Sequence, residues 1–133
     1  MPNMPHTCSI NVRGYELDSF GHVNHAVYLN YLEHARWQLL NEGGITLAHL
    51  AEWKRWPVIA QIEANYLKPA FMGEELVVET APLDTSRASF TLLQTIVRDG
   101  VPIFRAKIRA VTVNEKGRPA EMPEAFMQLW GTK

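Results

Sequence analysis

The chain has 133 residues, 47% of them hydrophobic and 20% charged, which is enough for one domain around one core and too little for a second. Thirteen Lys and Arg stand against fourteen Asp and Glu, so no broad field gathers polyanions, and nucleic acid is not expected as a partner. No apolar run approaches the roughly 20 residues that cross a bilayer, and the first ten residues lack the basic and apolar regions of a signal peptide. The single Cys8 forms neither an internal disulfide nor a multi-cysteine metal site. A cytoplasmic protein without membrane contact, one domain over residues 1–133, is the expectation.

After a leading segment at Met1 to Pro5, Cys8, Ile10 and Val12 alternate with polar residues as a half-buried strand ending near Arg13. Asp18 to Asn24 reads as a loop, and Ala26 to Leu40 runs without Gly or Pro. Its apolar residues fall on nearly every side of a helical wheel, which predicts a main helix buried all round and stopped by Gly43 and Gly44. Thr46 caps a short second helix to Trp53, with Leu47, Leu50 and Ala51 on one side. Four strands follow, Val58 to Leu67, Glu75 to Leu83, Ala88 to Arg98 and Ile103 to Val113, separated by Lys68 to Gly73, Asp84 to Arg87 and the hairpin pair Asp99-Gly100. Asn114 to Gly117 ends the last strand, and Pro123 opens a loosely attached C-terminal helix.

Strand, long helix and four strands joined largely by hairpins make an α+β domain in which a five-stranded antiparallel sheet curls around the helix. An exposed edge strand carries unpaired backbone groups, so a homodimer or dimer of dimers, up to a homotetramer, is expected.

The segment Arg13 to Arg36 places Asp18 just before a glycine, Gly21, and a helix start. A helix N-terminus offers backbone N–H groups without helical acceptors and the positive end of the dipole, which together hold a developing oxyanion. A carboxylate on the entering loop then acts as general base for water or as nucleophile toward a carbonyl.

This stretch resembles the hydroxybenzoyl-CoA thioesterase branch of the hot-dog superfamily. The likeness extends through Asn65-Tyr66-Leu67-Lys68-Pro69-Ala70 and Gly73-Glu74, about Thr7 to Pro123 in all. The resemblance implies a hot-dog fold and hydrolysis of acyl-CoA without a cofactor. It makes Asp18 the catalytic carboxylate, Gly21 the turn glycine, and the amide near His25 the oxyanion donor. Gly21-His22-Val23-Asn24-His25 is also similar to acyl-carrier-protein thioesterases of the same fold, so the carrier stays open. Phe20 stands where hot-dog hydratases have Asn, which disfavours a hydratase.

Plainer roles stand beside these. Asp18 could simply cap turn amides. His22, His25 and His34 match no metal-ligand spacing, and no metal is expected, while His22 could support the loop or polarise water. Glu33 can pair with Arg36 three residues on, yet a carboxylate on a buried helix makes it the second catalytic candidate. Tyr28, Tyr31 and Trp37 fit core packing, and Tyr28 could also shape an acyl pocket, whose depth turns on Tyr28, Tyr31, Phe71 and Phe90. Lys68, Arg87 and Arg118 are candidates for the phosphates of CoA. The alternative of another class is a non-catalytic acyl-thioester-binding module.

Overall fold

The computed structural model describes residues 5–130, so the part of the expected leading segment at Met1 to Met4 lies outside the described residues. Strand β1, His6–Asn11, is followed by a 3-10 turn at Gly14–Glu16, helix α1 at Val27–Glu42 and helix α2 at Leu47–Trp53. Strands β2 (Trp56–Tyr66), β3 (Glu75–Thr85), β4 (Ser89–Arg98) and β5 (Val101–Val113) come next, and helix α3, Glu124–Trp130, closes the order.

All five strands join one antiparallel sheet in the order β1-β3-β4-β5-β2. The hairpins β3-β4 and β4-β5 are as expected, and Asp99 and Gly100 both take positive φ, 52° and 78°, as a two-residue turn of matching twist requires. The expected run of hairpins breaks at β2, which crosses to the far edge beside β5. Its link to β3 is too long for a tight turn, and the Leu67 and Lys68 amides both donate to the Ile103 carbonyl, which holds the crossover against β5.

Helix α1 packs on one face of the sheet with Tyr28, Tyr31, Leu32, Ala35 and Leu40 buried. It is not buried all round, which corrects the expectation: Asn30, Glu33 and His34 are exposed, and Leu29, Trp37 and Leu39 are half-buried. The apolar stripe is wider than the sheet covers, because α1 leaves the inner face of β2 open. At the C-terminus Gly44, with φ of 81°, supplies the left-handed turn, while Gly43 stays at −82°.

Thr46 caps α2 as expected, its hydroxyl accepting from the His49 amide, but Leu50 alone is buried, and Leu47 and Ala51 face out. Helix α3 is not loose. Phe126 is fully buried and meets Trp53 edge-on at 6.1 Å between ring centroids. Phe126→Ala is therefore expected to cost about 3–5 kcal/mol in urea unfolding, the range for emptying an aromatic core site. A loss below about 1 kcal/mol would mean that α3 is peripheral after all.

Candidate active site

Three chain segments converge at the start of α1. The loop after the 3-10 turn carries Asp18, the helix start carries His25 and Tyr28, and the end of β2 with its crossover carries Tyr66, Leu67, Lys68 and Pro69. Together with His22 and Val23 they line an open cleft of about 300 Å³.

The loop is fixed mainly by backbone bonds. The Asp18 amide donates to the His22 carbonyl at 2.7 Å, the Gly21 amide to the Asp18 carbonyl at 3.1 Å, and the Val23 amide to the Ala70 carbonyl at 2.9 Å. Gly21 sits at φ 78°, and a Cβ there would meet nothing within 4 Å, so the backbone angle demands glycine rather than a close approach. Asp18 Oδ1 accepts from the Phe20 amide at 2.9 Å and the His22 amide at 3.1 Å. The capping role is thus real, but it occupies one oxygen. Among the described residues Oδ2 takes no hydrogen bond from protein and stays available to the cleft.

Asn24 shapes the helix entrance. Its side chain accepts from the Ala26 amide at 2.9 Å, and its carbonyl accepts from the Val27 amide at 2.9 Å. The Tyr66 hydroxyl donates to the His25 carbonyl at 2.7 Å, and the Tyr28 hydroxyl accepts from the Ala70 amide at 3.1 Å. With these groups engaged, the His25 and Tyr28 amides have no acceptor among the described residues. That leaves two donors at the positive end of the helix dipole, in residues that line the same cleft as Asp18. Phe replacing Tyr66 frees the His25 carbonyl, so Tyr66→Phe is expected to lower kcat about tenfold while costing about 0.5–1.5 kcal/mol in stability. An unchanged kcat would remove Tyr66 from the site.

Asp18, His22, His25, Tyr28 and Lys68 share the cleft. The His22 ring packs edge-on against Phe71 at 5.1 Å, which ties the loop to the crossover. Gly21 acts through its backbone, and Asn24 through both its side chain and its carbonyl at the helix entrance. Glu33 is not in this cleft but lines a separate cavity farther along α1. Its expected pairing with Arg36 does not form: the guanidinium Nη1 turns inward and donates to Gln94 Oε1 at 2.9 Å, and burial lowers its pKa. His34 lies in yet another cleft, so the three histidines do not converge, and no metal-binding group of three or more His, Cys, Asp or Glu occurs among the described residues. Arg87, paired with Glu121 at 3.4 Å, and Arg118, in the turn after β5, sit at the opposite end of the strands, so of the three expected cations only Lys68 reaches the cleft of this chain. Of the four side chains expected to set pocket depth, Tyr28 alone lines it.

Sequence reasoning missed Tyr66 as a site residue, and it missed Glu16. Glu16 is buried, 7% exposed. Oε1 accepts from the Arg13 amide at 2.9 Å and the Tyr31 hydroxyl at 2.7 Å, and Oε2 accepts from Arg13 Nη2 at 2.9 Å. Its backbone carbonyl accepts from the Asn24 amide at 2.9 Å, so this residue links the Asp18 loop to α1. The detectable signal was an acid three residues after Arg13 and two before Asp18.

A curled sheet around a central helix, with an acid at the helix entrance, defines a hot-dog domain of the thioesterase type. Residues 12–129 match the family model of the thioesterase-like superfamily, and the chain belongs to that family. It is similar to the acyl-acyl carrier protein thioesterase ATL3 of Arabidopsis thaliana, 34% identical over 123 residues, which covers 91% of this chain and 65% of that protein. The chain thus spans just under two thirds of the plant relative. The long-chain acyl-CoA thioesterase FadM of Escherichia coli is 33% identical over 113 residues, with 84% and 85% of the two chains covered. A thioesterase from Thermus thermophilus, solved with coenzyme A and zinc, superposes with a TM-score of 0.82 at 30% identity over 98% of this chain and 100% of that one.

Proposed function

We propose that this chain hydrolyses acyl thioesters of coenzyme A, with Asp18 as the reacting carboxylate and the His25 amide as oxyanion donor. The observation that carries this is the pairing, in one cleft, of the unengaged Asp18 Oδ2 with the open amides at the start of α1. A thioester carbonyl set against the His25 amide is polarised toward attack, and negative charge moving onto its oxygen is met by a fixed donor. In one course Asp18 accepts a proton from water as the water oxygen bonds to the carbonyl carbon, after which the carbon–sulfur bond breaks and the thiolate takes the proton. In the other, Asp18 itself bonds to the carbonyl carbon, the thiolate leaves, and water cleaves the resulting anhydride. FadM, named for acyl-CoA, and the Thermus relative, solved with coenzyme A, support this carrier.

A second reading, hydrolysis of acyl groups carried on acyl carrier protein, is supported by the plant relative named for that carrier. Measuring free-thiol release from the same acyl group on coenzyme A and on acyl carrier protein separates them. The proposal expects kcat/KM for the coenzyme A ester to exceed that for the protein carrier by at least tenfold, and the reverse ratio would overturn it. Tight binding of acyl-CoA without turnover would instead identify a binding module.

The assembly proposed is a homodimer joined at the β2 edge. That strand carries exposed Val58, Ile59, Ile62 and Tyr66 beside unpaired backbone groups, a combination that favours pairing with a second copy. Sedimentation is expected to give a dimer or a dimer of dimers, and Ile62→Lys to shift it toward monomer.

A further inference from the structure

The crossover from β2 to β3 meets the site with two consecutive peptide groups. The Ala70 amide donates to the Tyr28 hydroxyl at 3.1 Å, and the Ala70 carbonyl accepts from the Val23 amide at 2.9 Å. Ala70 is fully buried, and its two partners lead to the two halves of the cleft. Tyr28 stands in the first turn of α1, and Val23 ends the loop that carries Asp18.

Each of these peptide groups is gripped at its other end by an ion pair. In the Pro69–Ala70 group the carbonyl accepts from Arg98 Nη1 at 2.9 Å, and in the Ala70–Phe71 group the amide donates to Glu74 Oε1 at 2.8 Å. Arg98 Nη1 and Glu74 Oε1 also meet each other at 2.8 Å, so one nitrogen and one oxygen make all three bonds. Strand pairing brings them together: Val97 lies opposite Val77, so Arg98 ends β4 beside the start of β3, which Glu74 immediately precedes. Both side chains are largely covered, 23% and 28% exposed, and neither lines the Asp18 cleft.

A peptide group is planar, so fixing the direction of its carbonyl fixes that of its amide as well. A hydrogen bond to a charged group is stronger than a neutral one, and it polarises the peptide group that it meets. Positive charge at the Pro69 carbonyl makes the Ala70 amide a better donor to Tyr28. Negative charge at the Phe71 amide makes the Ala70 carbonyl a better acceptor for Val23. Both effects tighten the bonds on the site side of the crossover. We propose that Arg98 and Glu74 are positioning residues, which hold Tyr28 and the Asp18 loop in register through these two peptide groups; what the held groups do rests on the thioesterase reading above.

Two measurements on the full chain test it. Arg98→Met removes the cation and both of its bonds while keeping an unbranched stem. It is expected to lower kcat for acyl-CoA by about 10- to 100-fold, the scale of a small misplacement of reacting groups, with KM changed by less than about threefold. Because a single nitrogen makes both bonds, the lone ammonium of Arg98→Lys can replace it, and that variant is expected to keep kcat within about threefold of wild type. Glu74→Gln keeps an oxygen for the Phe71 amide but loses the charge, so a smaller loss of about fivefold is expected. Amide hydrogen exchange, read residue by residue by NMR, follows the same bonds without turnover. In Arg98→Met the Ala70 and Val23 amides are expected to exchange at least about tenfold faster and to recover in Arg98→Lys, while Ile108, midway along β5, keeps its wild-type rate. Unchanged kcat in Arg98→Met overturns the proposal. So does a loss of turnover that lysine does not restore, or one that leaves Ala70 and Val23 as protected as in wild type. Faster exchange at those two amides in a chain that hydrolyses no acyl-CoA would uphold the clamp and refute the thioesterase reading instead.

Discussion

Asp18→Asn is expected to reduce kcat for acyl-CoA hydrolysis by about 10²–10⁴-fold, the range for removing a positioned acid–base group, with KM changed by less than about threefold. The substitution is nearly isosteric, and asparagine Oδ1 still accepts the Phe20 and His22 amides, so the loop keeps its shape. What changes is the second position: a carboxylate oxygen becomes an amide nitrogen, which neither takes a proton from water nor attacks a carbonyl. A melting temperature within a few degrees of wild type alongside the lost turnover would separate chemistry from folding. Full activity in the variant would exclude Asp18 from the reaction. In ¹⁸O-water, a single turnover that leaves label in Asp18 identifies the nucleophilic course with water attacking the Asp18 carbonyl, whereas label confined to the product acid fits both the general-base course and water attack on the acyl carbonyl of the anhydride.

Glu16→Ala is expected to cost about 2–4 kcal/mol in denaturant unfolding, because it strands the buried Tyr31 hydroxyl and the Arg13 amide without an acceptor. Burial of Glu16 pushes its pKa up, but the Arg13 amide, the Tyr31 hydroxyl and the Arg13 guanidinium outweigh that and hold it below the ordinary 4.5. A depressed carboxylate stabilises the fold fully above the unfolded-state value, and that contribution is lost as the pH falls through the folded one. The stability difference between wild type and Glu16→Ala should accordingly be constant at neutral pH and shrink below about pH 4. A stability profile parallel to wild type down to pH 2 would contradict the role given to the carboxylate.

The elements were legible wherever local chemistry decides them. The Asp99-Gly100 turn, the glycine stop after α1 and the Thr46 cap each follow from what those residues do to their own backbone, and all three stand in the structure. The placement of β2 was not legible, because a strand's alternation says which face is inward and nothing about which neighbour it pairs with. The breadth of the apolar stripe on α1 correctly announced more burial than an exposed helix needs, but not how much of it the sheet supplies. At the cleft, the segment from Asp18 to His25 was legible because it is one continuous motif, while Lys68 was put forward, with Arg87 and Arg118, as a cation on a turn. Arg87 and Arg118 were drawn in by charge alone, and strand length carries them to the other end of the sheet. Tyr66 escaped because its role depends on β2 ending beside the His25 carbonyl, a meeting across 41 residues that no local pattern encodes.

The most direct test of the account is a crystal structure of Asp18→Asn with a slowly turned-over acyl-CoA. The account predicts the thioester carbonyl oxygen within about 3.2 Å of the His25 amide nitrogen, and its carbon within about 3.5 Å of the residue 18 side chain. A thioester seated elsewhere, with the start of α1 facing only solvent, would contradict it.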